Sequence, residues 1–177
     1  MAENVDERVY IPLTDVQMKK FNRDAHIMLY PELNKIKRVE DIFKKSNKVI
    51  LFFEVANKYN GHWTALIFRP ELKQIEFFDS YGFHKVGDEF DYIPQATKLN
   101  ENRKILVQLL YGSKYKILLN PYKLQKFLYD GKPTETCGRH VTLRLNNSDM
   151  KMSDFVHKFY FSALPTPSDV RVCELIN

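Results

Sequence analysis

The chain of 177 residues has only two cysteines, Cys137 and Cys173. Two are too few for the disulfide framework of a small secreted domain. There is no Cys-x-x-Cys pair and no closely spaced pair of histidines, so no zinc or other metal site is expected. No apolar run approaches the roughly 18 residues that span a bilayer, and Met1–Asp6 is too polar to open a signal peptide. Internal repeats and low-complexity linkers are missing as well. These absences point to one globular domain over residues 1–177, in a reducing compartment and away from membranes. Hydrophobic residues make up 44% of the chain, which suits one well-buried core at this length and leaves little room for a second.

Positive charge is in excess, with a formal net charge of +5. Part of it is concentrated in Lys35, Lys37, Arg38, Lys44, Lys45 and Lys48. A solvated face accounts for that cluster, and Glu40 and Asp41 dilute its field. The competing reading is weak, salt-sensitive and non-specific contact with DNA.

The residues that suggest chemistry lie far apart. Residues 64–68 and 74–78 are apolar, β-branched or aromatic, as strands prefer. Arg69-Pro70-Glu71-Leu72 between them reads as a four-residue hairpin loop closed by Phe68 opposite Lys73. That register pairs residues whose numbers sum to 141, so it sets His62 directly against Asp79. Opposed Cβ atoms lie roughly 4.5–5.5 Å apart, close enough for a carboxylate–imidazole hydrogen bond. Such a pairing favours a functional histidine over a merely satisfied one. His26, His84, His140 and His157 have no acid so placed. His140 lies three residues after Cys137, a turn inward on the same helix face, and reads as packing or capping.

Cys137 opens a predicted helix over 137–146, with Thr134 or Thr136 as its cap and Asn146-Asn147-Ser148-Asp149 at its end. A thiol at a helix N-terminus feels the positive end of the backbone dipole, which favours the thiolate. Gly138 leaves room for a substrate backbone, and the first-turn amides can hold an oxyanion. Cys173, in Val-Cys-Glu-Leu, lacks such a setting and is expected to be inert.

With His62-Trp63, Asp79 and Cys137-Gly138 in this order, the chain resembles the adenain-like cysteine proteases of adenovirus type, within the group that includes ubiquitin-like-modifier proteases. Tyr81-Gly82-Phe83 after the acid is similar too, and the matched segments cover roughly residues 50–145. The resemblance implies an oxyanion-hole glutamine about six or seven residues before the cysteine. Gln125 stands twelve before it, across a stretch holding the loop formers Gly131 and Pro133. Gln125 is therefore assigned to the hole with a longer loop, against the alternative of an ordinary surface glutamine. Trp63 is expected to pack beside His62 and wall the cleft. Most narrowly, the resemblance is to the capsid-maturation proteases of virophages and Polinton-like elements. It implies viral capsid precursors as substrates, cut at small residues, in the virion interior and in the host-cell cytoplasm or virus factory. It also implies possible activation by DNA or a short viral peptide, while no cofactor is otherwise expected and a monomer should suffice.

The remaining segments supply the frame. Thr14 or Asp15 should cap a helix running to about His26, residues 39–45 a short amphipathic helix, and Val49–Val55 the most apolar and central strand. Asn57–Asn60 reads as a polar turn. A helix over Ile105–Leu110, a strand over Tyr115–Leu119 and a helix over 153–164 capped by Ser153 follow, with Pro165 and Pro167 ahead of a short tail. The expected fold is α+β: a mixed, largely antiparallel sheet packed against a central helix bearing the nucleophilic cysteine. The expected activity is that of a cysteine endopeptidase with Cys137 as nucleophile, His62 as base and Asp79 as its orienting acid. A protease that removes ubiquitin-like modifiers, or an acetyltransferase effector, would use the same residues. An inactive DNA-binding scaffold of the particle is the alternative of another class.

Overall fold

The most apolar stretches of the chain become its sheet. A computed structural model describes residues 7–57, 60–82 and 105–177. Met1–Asp6, the middle of the expected turn after Asn57, Phe83 and His84 lie outside the described residues. The strands β1 (His26–Leu29), β2 (Lys48–Asn57), β3 (Asn60–Arg69), β4 (Gln74–Phe78) and β5 (Lys116–Leu119) stand side by side in chain order. The long central pairings, β2 with β3 and β3 with β4, are antiparallel. The short edge strands β1 and β5 pair in parallel with β2 and β4.

Helices cover both faces of this sheet, which explains why Val49–Phe53 is a continuous apolar run and not an alternating one. Val49, Leu51 and Phe53 point with Leu66, Ile75 and Phe77 toward α2 (Ile105–Tyr111). Ile50 and Phe52 point with Trp63, Ala65, Ile67 and Phe78 toward α3 (Cys137–Asn146), α4 (Met152–Phe159) and α5 (Ser168–Leu175). Each fully buried aliphatic or aromatic side chain contributes about 1.5–3 kcal/mol. The fold is thus α+β, a mixed and largely antiparallel sheet against a central helix that begins at Cys137.

Residues 137 to 145 of α3 are all buried, including four long or polar side chains, Arg139, His140, Thr142 and Arg144. Burial of an unpaired cation would be prohibitive, and Arg144 is accordingly clamped by Glu76 of β4. Its Nε and Nη2 donate to Glu76 Oε1 and Oε2 at 2.7 and 2.8 Å. Arg69 adds a 2.9 Å bond to Glu76. This network locks the central helix to the sheet on the far side from its cysteine.

Several expected boundaries move. The helix α1 (Asp15–Phe21), capped by Thr14 in a reciprocal pair with Gln17, ends at Phe21 and not near His26. Asn22 stops it by turning its backbone and side-chain N–H onto the Met18 carbonyl, and His26 begins β1 instead. The segment expected as a helix over 39–45 is a 3-10 helix at Val39–Phe43. The helix expected over 153–164 is α4, which stops at Phe159, and Ser153 lies inside it without capping it. A separate 3-10 turn follows at Phe161–Ala163. The expected tail is the helix α5: Pro167 sits at its N-cap, where the missing N–H costs nothing. Strand β2 has partners on both sides, but the centre of the sheet is β3.

Candidate active site

The turn between β3 and β4 sets the site. It is a 3-10 turn at Pro70–Leu72 followed by Lys73 in the left-handed region at φ 51°. The ladder closes at Arg69 opposite Gln74, so partners sum to 143, as for Ala65 and Phe78. The hairpin loop is one residue later than the sequence suggests, and His62 and Asp79 are not directly opposed. A shift of two in the sum preserves the face, so the pair meets diagonally. His62 Nε2 lies 2.9 Å from Asp79 Oδ1, with the two residues only 4% and 2% exposed.

Asp79 Oδ1 also accepts the Tyr81 backbone N–H at 2.9 Å. Tyr81 then lays its ring parallel to the imidazole, centroids 4.7 Å apart, and Phe127 stacks on Tyr81 at 4.3 Å. Burial by itself pushes the His62 pKa down. The charge and hydrogen bond of Asp79 oppose this, then the hydrogen bond and charge of Cys137, and the ring is pushed up to about 10. With Nε2 taken by Asp79, Nδ1 is the ring nitrogen left to Cys137. The Tyr81 hydroxyl is held protonated, its pKa raised by burial and by the negative charge of Cys137 and Asp79.

Cys137 is 3% exposed and opens α3, where the Arg139 and His140 backbone N–H groups turn back to the Thr136 carbonyl. Thr136 is the cap residue by position, but its hydroxyl bonds Asp169 and not the helix backbone. Gly138 is tight for a reason other than substrate access. A Cβ there would sit 3.0 Å from Met18 Sδ, 3.1 Å from Leu13 Cβ and 3.2 Å from Trp63 Cδ1. Trp63 follows His62 on the strand and so leaves the opposite face. Its N–H bonds the Leu13 carbonyl at 3.2 Å and its ring packs on Phe52. In these contacts Trp63 seats α3 on β3 and does not face the imidazole.

Gln125 is buried, which removes the ordinary-surface reading. Its Oε1 accepts the Ser80 hydroxyl at 2.6 Å, and its Nε2 reaches Thr134 Oγ1 and O at 3.2 and 3.3 Å and the Tyr81 hydroxyl at 3.5 Å. The Ser80 carbonyl in turn accepts the Leu124 and Gln125 backbone N–H groups. The spacing puzzle has a structural explanation. Residues 128–133 form a hairpin of β6 (Leu128–Tyr129) and β7 (Lys132–Pro133). Asp130 and Gly131 at its tip both have positive φ, as a type I′ turn requires. The Thr134 N–H bonds the Phe127 carbonyl across its base. The six residues 128–133 therefore fold out of the path, which cuts the spacing of twelve to an effective six.

Sequence reasoning missed Ser80, Tyr81's stacking role, Thr134 and Asp169. The Asp130-Gly131 dipeptide was the readable signal for the hairpin. His140 faces Tyr160 and Asp169 at the back of the helix. Among the described residues no cluster of three or more His, Cys, Asp or Glu side chains could hold a metal, and no helix is long and apolar enough to cross a membrane. In the basic cluster, Arg38 and Lys44 share Asp41, and Lys48 bonds Asp24.

The α+β fold thus sets a thiol at the head of a buried helix beside an imidazole whose other nitrogen meets a carboxylate. No family model matches the chain. Over 151 residues it is 32% identical to the "Uncharacterized protein V9" of Sputnik virophage, a match that covers 84% of this chain and 82% of that protein. The chain belongs to the family of that virophage protein. Among solved structures, the central domain of the uncharacterized Lpg1148 protein from Legionella pneumophila superposes with a TM-score of 0.39 at 12% identity, over 93% of this chain and 86% of that one. The SUMO protease Ulp1 superposes at 0.38 and 14% identity, over 94% and 80%. Superpositions this loose leave the functional reading to the geometry of the site.

Proposed function

We propose that the chain is a cysteine endopeptidase that cuts viral capsid precursors during particle maturation. The observation that carries the reading is the buried His62–Asp79 pair at 2.9 Å, with Cys137 beside the ring at the head of α3, where its charge helps to raise the imidazole pKa. Cys137 loses its proton to His62, and its sulfur attacks the carbonyl carbon of an extended peptide. Asp79 keeps the ring in one orientation and stabilises its charge. The Cys137 backbone N–H and the Gln125 amide hold the oxyanion. The imidazolium then protonates the departing amine, and water attacks the thioester, returning the thiol and releasing the acid. The virophage relative supports a viral setting for this reading.

The test incubates purified protein, beside a Cys137→Ala control, with the capsid proteins of the same virus and with ubiquitin-like conjugates. Capsid cleavage that the control lacks supports the proposal. Release of modifiers alone would replace it with the deconjugating reading, and inertness of both proteins toward every substrate would overturn the protease reading.

A further inference from the structure

The mechanism leaves one cluster of buried polar side chains unused, at the back of the central helix. Asp169 of α5 is 1% exposed, yet it carries a carboxylate into the core. Its Oδ2 accepts the Lys126 backbone N–H at 3.0 Å, and its Oδ1 accepts the Thr136 hydroxyl. His140 Nε2 lies 3.3 Å from the same Oδ1, and His140 Nδ1 lies 2.7 Å from the Tyr160 hydroxyl. A carboxylate only accepts, so Nε2 is the protonated nitrogen, and Nδ1 accepts from Tyr160. Burial, then the charge of Asp169, raises the Tyr160 pKa and keeps that hydroxyl a donor. Every member of the chain Tyr160–His140–Asp169 is thereby satisfied.

The two residues nearest Asp169 in the loop are telling. Lys126 directly follows Gln125, and Thr136 directly precedes Cys137. The intervening chain departs into the exposed hairpin β6–β7, whose base closes at Phe127 and Thr134 and leaves the links to Gln125 and Cys137 to be fixed by other contacts. Lys126 is held a second time, its carbonyl accepting the Thr134 hydroxyl that in turn accepts the Gln125 amide. We infer that Asp169 is a positioning residue that fixes the Gln125 amide against the Cys137 helix start, and so sets the width of the oxyanion hole from behind. This rests on the protease reading for its catalytic consequence, but the clamp itself does not.

Asp169→Asn is nearly isosteric but replaces one acceptor oxygen with an N–H₂ group, so one strut is lost. In an enzyme that cleaves, kcat should fall roughly ten- to a hundredfold, as small misplacements of catalytic groups do, with KM within about threefold. Alkylation of Cys137 by iodoacetamide builds no oxyanion and should stay within about twofold of wild type. Amide hydrogen exchange should rise in residues 124–136. Should Asp169→Asn fail to fold, Thr136→Val removes a single donor and should show the same pattern, with Thr136→Ser restoring activity. An unchanged kcat, unchanged exchange, or an alkylation rate that falls in step with kcat would overturn the inference. If the wild type cleaves nothing, the protease reading fails, and the exchange measurement alone decides the clamp.

Discussion

His62 and Asp79 bond at 2.9 Å across a diagonal of the β3–β4 ladder, with Asp79 just beyond the end of its strand. Because Asp79 is released from the ladder there, its backbone can turn. One carboxylate oxygen then serves both the imidazole and the Tyr81 N–H. A pair locked in direct opposition would lack that second bond.

Replacing Asp79 by Asn should keep the fold and favour the wrong ring tautomer, lowering kcat by on the order of 10²–10⁴. Stability should change with pH in a defined direction. The folded pKa of His62 is raised to about 10, above the ordinary value of about 6.5. The ring's contribution is therefore fully present below the ordinary value and lost as pH rises toward 10. Urea midpoints measured in a Cys137→Ala background, where no thiol titrates at the site, should fall as pH rises above the ordinary value, over a narrower window because the thiol's share of the shift is gone. Adding Asp79→Asn should flatten the decline. An equal slope with and without Asp79 would refute the pairing.

The two cysteines should differ sharply in reactivity. Cys137 stands at the head of α3 beside the His62 imidazole, whereas Cys173 is fully buried within α5, in the core of the α3 face. Brief iodoacetamide labelling near pH 6, read by mass spectrometry, should modify Cys137 at least roughly tenfold faster. Equal labelling, or preference for Cys173, would remove the thiolate argument.

What the sequence made legible follows from the range of the forces involved. Strands β3 and β4 and the start of α3 are fixed by local patterns: apolar runs, a proline turn, and Thr-Cys-Gly ahead of an apolar period. The face shared by His62 and Asp79 is a matter of parity, so it survives an error of one residue in the loop. Lys73 in the left-handed region moved that loop, and a lysine gives no warning of such a conformation. The helix α5 escaped notice because its eight residues carry too short a period, and Asp169 reads as a surface acid until it is seen buried. Arg144 and Glu76 were equally silent. Each looks solvent-exposed by type, and only the tertiary fold pairs them.

That pair should dominate stability at the end of α3 away from Cys137. Arg144 is fully buried, bidentate on Glu76, and also donates to the Asn147 and Met150 carbonyls at 2.8 and 2.9 Å. Removing Glu76 strands the buried Arg144 charge, so Glu76→Gln should cost about 3–5 kcal/mol in urea unfolding. Replacing both, as Arg144→Met with Glu76→Gln, should cost less than the two single losses added. Additive losses would mean that the ion pair is not coupled.

Gln125 offers the sharpest test of the proposed oxyanion hole. Its amide nitrogen rests on Thr134 and lies 3.5 Å from the Tyr81 hydroxyl, and its oxygen is held by Ser80, the residue after Asp79. The hairpin at 128–133 explains its distance in sequence, and the structure keeps it buried beside the loop that leads into Cys137. If the amide completes the oxyanion hole, Gln125→Ala should lower kcat by about 10²–10³ with KM little changed. Gln125→Glu should be as poor, because a carboxylate repels the developing negative charge. Ser80→Ala separates positioning from packing: it frees Gln125 Oε1 without touching the amide donor, and should cost less than Gln125→Ala. Alkylation of Cys137 should be nearly unchanged in all three variants, since it forms no oxyanion. Single-turnover cleavage and alkylation measured side by side would decide the matter. A Gln125→Ala enzyme within about threefold of wild type in kcat would assign the hole to backbone amides of the first turn of α3.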